Sequence, residues 1–290
     1  MASRVVHAAT AVTMAAALAL STPPAASAGS VPARTLLPKP LPCARCWHPA
    51  VRSSWMLQLG SVPTAPYRNV AIYDVDAVDT PASTVSAMHS RGIRVICYLS
   101  AGTFESWRPD AGAYPAGLLG ASNGWPGERW VDVRDFRQKH SVLRTILDAR
   151  LDLCRQKGFD AVDPDNIDGY ANDTGFAISS ADQLLFNTDL ANDAHLRGLA
   201  VMQKNDLEQT PTLVRYFDGS VNEQCNEYSE CTTADNGGYG LDEYVRAGKP
   251  AFQVEYDLSP EQFCPEDNAN DFNGVLLDLA LDGKRFVPCR

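Results

Sequence analysis

Nine carboxylates in this 290-residue chain recur in one kind of place, at the end of a short β-branched or aromatic run or in the loop after it. Asp74 and Asp76 close one run and Glu105 follows the next. Asp163 and Asp165 stand in Asp163-Pro164-Asp165-Asn166, and Asp206 follows Lys204-Asn205. Glu223 lies in Asn222-Glu223-Gln224, and Glu255 and Asp257 flank Tyr256. One acid at such a place often only caps the next helix, and Asp206 suits that role. Like charges gathered at one face are costly, so nine together call for a use. Three chemistries use converging carboxylates. They are a Mg²⁺ or Ca²⁺ site, a carboxyl pair working on a glycosidic bond, and a cage for cationic groups. A Ser or Cys triad has little support, because there is no GxSxG and no His at the end of a run. Proton transfer then falls to carboxyls. A DxDxDG loop with calcium spacing is absent, and no metal or cofactor is expected.

These acids need elements to position them. Eight runs read as strands: Trp55–Gly60, Val70–Asp76, Arg94–Ser100, Asp160–Asp165, Leu199–Asn205, Tyr216–Asn222, Pro250–Tyr256 and Arg285–Cys289. Helical segments alternate with them. Ser141 opens one that carries Leu143, Leu147, Leu151 and Cys154 and stops at Gly158. Ser180 with Gln183 reads as a capping box for another, ended by Gly198. A third runs from about Thr84 to Arg91 before Gly92. The alternation predicts an α/β fold, a single-domain (β/α)8 TIM barrel over residues 46–290. No GxGxxG follows the first strand, which weakens a dinucleotide-binding alternative. Residues 101–140 lack clear periodicity and hold Trp107, Trp125 and Trp130, as a functional loop would. In such a barrel the site lies at the C-terminal strand ends, where the acids are.

Residues 1–28 read as a secretory signal: Arg4, an apolar stretch from Ala8 to Leu20, then Ala26-Ser27-Ala28. Residues 29–45 form a Pro-rich leader. The expected product is a secreted monomer with no membrane span. Basic residues number 25 and acidic 35, giving −10, or −11 once Arg4 is removed. That balance argues against nucleic acid or an anionic membrane as partner. It serves either solubility or attraction of something cationic. Export permits disulfides. Cys225 and Cys231 bracket a short loop and are expected to pair, Cys264 could tie to Cys289, and Cys43-Ala44-Arg45-Cys46 reads as a small disulfide loop rather than a metal motif. Cys97 and Cys154 either pair or remain buried thiols.

Several blocks carry a family resemblance. They are Cys97-Tyr98-Leu99-Ser100-Ala101-Gly102 with Glu105-Ser106-Trp107-Arg108-Pro109-Asp110, then Gly124-Trp125-Pro126-Gly127-Glu128-Arg129-Trp130, then Asp163-Pro164-Asp165-Asn166-Ile167-Asp168-Gly169-Tyr170. Lys204-Asn205-Asp206 and Asn222-Glu223-Gln224-Cys225 with Glu230-Cys231 follow in order. From about Trp47 to the C-terminus the chain resembles the endo-α-1,4-polygalactosaminidase family, glycoside hydrolase family 114. The resemblance implies a TIM barrel that cuts α-1,4-linked galactosamine polymers internally, with Asp165 as nucleophile and Glu223 as acid/base. The partner it implies is a cationic or partly acetylated galactosamine polysaccharide. One departure stands out: the family usually has Glu where this chain has Asp163, so that carboxylate is set back by about 1–1.5 Å, roughly one C–C step.

Position agrees with that assignment. Asp163 and Asp165 are two apart and both face the barrel interior, Asp165 nearer the mouth. Lys204 lies on the strand between Asp165 and Glu223, where it either keeps Asp165 ionised or only neutralises the acidic ring. Asp74, Asp76, Asp163 and Glu255 are expected to bind amines or hydroxyls, and Tyr98, Tyr170, Tyr256, Trp107 and Trp125 to stack on sugar faces. Glu105, Arg108, Asn166 and Asn222 complete the expected substrate contacts. A retaining glycosidase is the reading. A non-catalytic polysaccharide-binding barrel and a metal-dependent hydrolase are its rivals.

Overall fold

The computed structural model describes residues 36–290; the signal expected at 1–28 and the start of the leader lie outside the described residues. The elements in chain order are β1 (Trp55–Gln58), β2 (Ile72–Asp76), α1 (Ala82–His89), β3 (Arg94–Ser100), β4 (Thr103–Glu105), β5 (Leu119–Ser122), β6 (Glu128–Val131), α2 (Val142–Lys157), β7 (Ala161–Asp165) and α3 (Ser180–Leu196). Then come β8 (Ala200–Lys204), α4 (Thr210–Leu213), β9 (Gly219–Glu223), α5 (Asp242–Arg246), β10 (Ala251–Glu255), α6 (Pro260–Ala269), β11 (Asn273–Leu276) and β12 (Val287–Pro288).

Eight parallel strands, β1-β2-β3-β7-β8-β9-β10-β11, form a curled sheet in that order, and the fold is a (β/α)8 barrel. These strands are buried on both faces, as a parallel sheet covered by helices requires. Between β11 and β1 no backbone ladder is present among the described residues. The seam is bridged instead by Trp55, whose indole N–H donates to Asn273 O at 2.6 Å, and by Gly60 N donating to Leu281 O at 3.0 Å.

Period-two alternation sends Asp163 and Asp165 inward on β7 and Cys97 outward on β3. Outward-facing Cys97 meets Cys154 on the buried stripe of α2, and the two form a disulfide. Cys43–Cys46, Cys225–Cys231 and Cys264–Cys289 are also bonded. Helix α2 follows its pattern: Ser141 Oγ caps Arg144 N at 2.8 Å, and Gly158 ends the helix at φ 88°. In the leader, Leu41 N donates to Asn192 Oδ1 of α3 at 2.8 Å and Tyr216 OH to Pro38 O at 2.6 Å.

Three expectations are corrected. The eighth parallel strand is Asn273–Leu276, and of Arg285–Cys289 only Val287–Pro288 pairs, antiparallel to it. The true strand has a single β-branched residue, Val275, so propensity favoured the wrong run; its place is set by the parallel ladder of Asn273–Leu276 on Phe252–Glu255, with Trp55 bonded to it across the seam. The cap of α3 is Ser179 with Asp182, one residue earlier than Ser180 with Gln183. Ser179 holds the extended backbone a cap needs, while Gln183 turns inward and donates to Asn187 Oδ1 at 2.9 Å. The segment 101–140 is partly ordered as an antiparallel sheet, β4-β6-β5, and Arg129 donates to Leu119 O and Gly120 O within it. These strands are three or four residues long, too short for a visible period.

Candidate active site

At the mouth of the barrel a cavity of about 410 Å³ has Asp165, Lys204, Glu223, Tyr98 and Tyr256 at its base. That size suits a small-molecule or sugar site. Its walls come from the irregular segment, with Trp107 and Trp125, and from Leu279, Ala280 and Leu281 beyond β11. Both tryptophans are more than half exposed, at 54% and 55%. Burying such rings is favourable, so two left open on one cavity mark a binding face.

Asp165 is the last residue of β7, Lys204 of β8 and Glu223 of β9. Each is followed by a non-glycine residue at positive φ: Asn166 at 61°, Asn205 at 47° and Gln224 at 64°. This left-handed backbone is rare for such residues, and Asn tolerates it best. The turn breaks each strand abruptly at the mouth. Gly102 makes room for the first of these turns, because a Cβ there would fall 1.7 Å from Asn166 O.

Lys204 Nζ donates to Asp165 Oδ1 at 2.9 Å and to Glu223 Oε2 at 2.6 Å. The facing carboxylate oxygens therefore cannot be more than about 5.5 Å apart, the two contacts laid end to end. Tyr98 OH donates to Asp165 Oδ2 and Asn166 N to Oδ1, at 2.7 and 2.8 Å. Tyr256 OH donates to Glu223 Oε1, and Asn205 Oδ1 accepts from Glu223 N at 3.0 Å. Burial alone would raise the Asp165 carboxyl, but the Lys204 charge and the Tyr98 and Lys204 hydrogen bonds hold it below the usual range. Burial would lower Lys204, and the charges of Asp165 and Glu223 push it well above its ordinary value instead. Burial and the Asp165 charge raise Tyr98, which stays a donor. The base thus holds an ionised carboxylate, a fixed cation and a second carboxyl.

Of the other expected residues, Asp76, Glu105, Trp107, Arg108, Asp163 and Asn166 line this cavity. Asp76 and Glu105 are already paired: Arg108 reaches Asp76 through both terminal nitrogens, at 3.0 and 2.6 Å, and Glu105 at 2.8 Å. Asp74, Asn222 and Glu255 are absent from its wall. Glu255 shares the outer face of β10 with Gln253, and its Oε1 accepts from Asn226 N at 2.8 Å. Asp206 makes no capping bond; its Oδ2 accepts from Asn187 at 2.9 Å. Leu279–Leu281 were not among the expected site residues, and only closure of the ring brings them to the mouth. Nor was Glu128, whose Oε1 accepts from Thr103 Oγ1 at 2.5 Å and lies 3.4 Å from Asn166 Nδ2. Its signal was the Trp-Pro-Gly-Glu block itself. Among the described residues no group of three or more His, Cys, Asp or Glu side chains has the geometry to hold a metal ion.

Below the base, Asp74 and Asp163 are fully buried, and none of their four oxygens accepts from a donor. The two carboxyls are within hydrogen-bonding reach of each other, a bond that exists only while one keeps its proton. Burial, then repulsion from Asp163, pushes Asp74 well up. Burial pushes Asp163 up to about 8, although Lys204 pulls the other way. The native chain therefore keeps a proton that the unfolded chain releases above 3.8, and stability falls as pH rises from there to about 8. Asp163→Asn should flatten that slope, measured as urea midpoints at pH 5 and pH 8. An unchanged slope would assign the pH dependence elsewhere.

With this geometry in place, comparison with known proteins is decisive. The model of glycoside-hydrolase family GH114 matches residues 40–290. The chain belongs to family GH114. It is a glycoside hydrolase on a TIM barrel. Among solved structures, Aspergillus fumigatus Ega3 in complex with galactosamine is 34% identical, with TM-score 0.74, over 81% of this chain and 95% of that one. The glycoside hydrolase domain of PelA from Pseudomonas aeruginosa is 17% identical, with TM-score 0.59, over 81% of this chain and 98% of that one, a likeness of fold. No curated protein matches. In GH114 terms, the resemblance read from the Pro-Asp-Asn and Asn-Glu-Gln blocks falls on the two carboxylates that Lys204 joins.

Proposed function

We propose that this GH114 member is a secreted endo-acting hydrolase of α-1,4-linked galactosamine polymers that retains anomeric configuration. The observation carrying the mechanism is the Asp165–Lys204–Glu223 bridge. Facing oxygens no more than about 5.5 Å apart are compatible with the carboxyl spacing of retaining enzymes, about 5–5.5 Å. Asp165, kept ionised, attacks the anomeric carbon while Glu223 gives its proton to the departing glycosidic oxygen. A proton on Glu223 loosens its tie to Lys204, which then pairs with Asp165 alone. Glu223 next takes a proton from water, which attacks the glycosyl–Asp165 ester and frees the carboxylate.

The likeness to Ega3 supports galactosamine as the sugar. Four disulfides support an oxidising destination. The cavity opens between exposed tryptophans, as a site threaded by a polymer would. Incubation with purified galactosaminan, following reducing ends and the product anomer by NMR, tests the reading. New reducing ends that first appear as the α-anomer are expected. A β-anomer would overturn retention, and binding without new ends would favour a non-catalytic barrel.

A further inference from the structure

A second cavity, of about 360 Å³, opens beside the ends of β7, β8 and β9, and Glu223 borders both it and the Trp-walled cavity. Its wall includes Asp168, Asp206, Glu208, Asn222 and Glu230, and neither Lys nor Arg lines it. Tyr228 stands at its edge, 63% exposed. Two acceptors in this wall are buried and have no partner: Asp206 Oδ1, on a residue 7% exposed, and Asn222 Oδ1, on one 2% exposed. Four carboxyls besides Glu223, two unpartnered acceptors and no cation in the wall favour a cationic donor as ligand, and an ammonium is such a group. Burial, then the Asp168 charge, pushes the Asp206 carboxyl well above its ordinary range, and a cation bound beside it would favour its ionised form.

We propose that this second cavity is a subsite for an amine-bearing sugar residue, the unit on the leaving-group side of Glu223. Its ammonium would be held by Asp206, Glu208 and Asn222, with its ring against Tyr228. The sidedness follows from chemistry: the acid that protonates the glycosidic oxygen must face the departing sugar, and the cavity lies beyond that acid. The inference rests on Glu223 as acid/base and on a galactosamine polymer as substrate. An N-acetylated unit brings a neutral amide in place of the cation, so this position selects for the free amine.

The test compares wild type with the isosteric double variant Asp206→Asn/Glu208→Gln and with Glu208→Gln alone, whose side chain is exposed. The single variant decides if the double one fails to fold by circular dichroism. Substrates are free-amine galactosamine oligomers, N-acetylated oligomers, and an aryl α-galactosaminide whose leaving group is not a sugar. The KM for free-amine oligomers relative to the aryl glycoside should rise about tenfold in the double variant, the loss of one charge-assisted contact. Glu208→Gln should move that ratio in the same direction. For N-acetylated oligomers the ratio should stay put. An unchanged ratio for free-amine oligomers overturns the subsite and leaves the glycosidase intact. A wild-type protein that cleaves none of the three substrates overturns the parent reading, and the subsite with it.

Discussion

Asp165→Asn should lower kcat on galactosaminan by about 10⁴-fold or more, and Glu223→Gln by about 10²–10⁴-fold, without unfolding the protein. Both replacements keep shape and remove one charge. Asn at 165 can still accept from Tyr98 and sit beside Lys204, yet it cannot form the glycosyl ester. The substrates separate the roles. An aryl glycoside with a good leaving group needs little help from an acid, so Glu223→Gln should form its glycosyl–enzyme at near wild-type rate and then stall. Asp165→Asn should fail with every leaving group. Burst kinetics with an aryl α-galactosaminide measures both. Wild-type turnover in either variant would remove that residue from the mechanism.

Lys204→Met should cost about 10²–10³-fold in kcat/KM, the size of removing one preorganised charge from a water-poor site. Lys204 is the only cation bonded to Asp165 or Glu223 among the described residues. Without it two carboxylates face each other, and like charges at that distance hold a proton between them. Asp165 then loses the charge that holds it below the usual range. Since the nucleophile must be ionised, the acid limb of the pH–rate profile should move to higher pH. Lys204→Arg should rescue poorly, because a planar guanidinium does not replace a compact ammonium placed between two carboxylates. A pH profile unchanged in Lys204→Met would reduce Lys204 to a neutralising charge. That decides between the two roles the sequence left open.

Much of the site was legible because its residues sit at strand ends, and strand ends can be read from periodicity. Asp165, Lys204 and Glu223 close β7, β8 and β9, and the barrel rule gathers such ends at one mouth. The same rule overreached at Asp74 and Glu255. Asp74 lies two residues below Asp76 on the inner face of β2 and meets Asp163 instead of the cavity. Glu255 closes β10 but points with Gln253 to the outer face. A strand end gives height along the barrel, and which face a side chain takes depends on a register that one residue can invert. Asp76 and Glu105 were placed at the mouth, but their pairing with Arg108 was not foreseen, because it spans 32 residues between Asp76 and Arg108.

Local sequence carried the alternation of strands and helices, the helix caps at Ser141 and Gly158, the strand-end positions of Asp165 and Glu223, and the family resemblance. Each is local: a period, a cap or a contiguous block. The packing of distant segments settled which run closes the ring, that Cys97 reaches Cys154, that Lys204 touches both carboxylates, and that Asp74 and Asp163 are buried together without a donor. Those outcomes depend on distances between segments far apart in the chain. They follow once the curled sheet fixes which inward-facing side chains share a level, and burial then sets which of them stay charged.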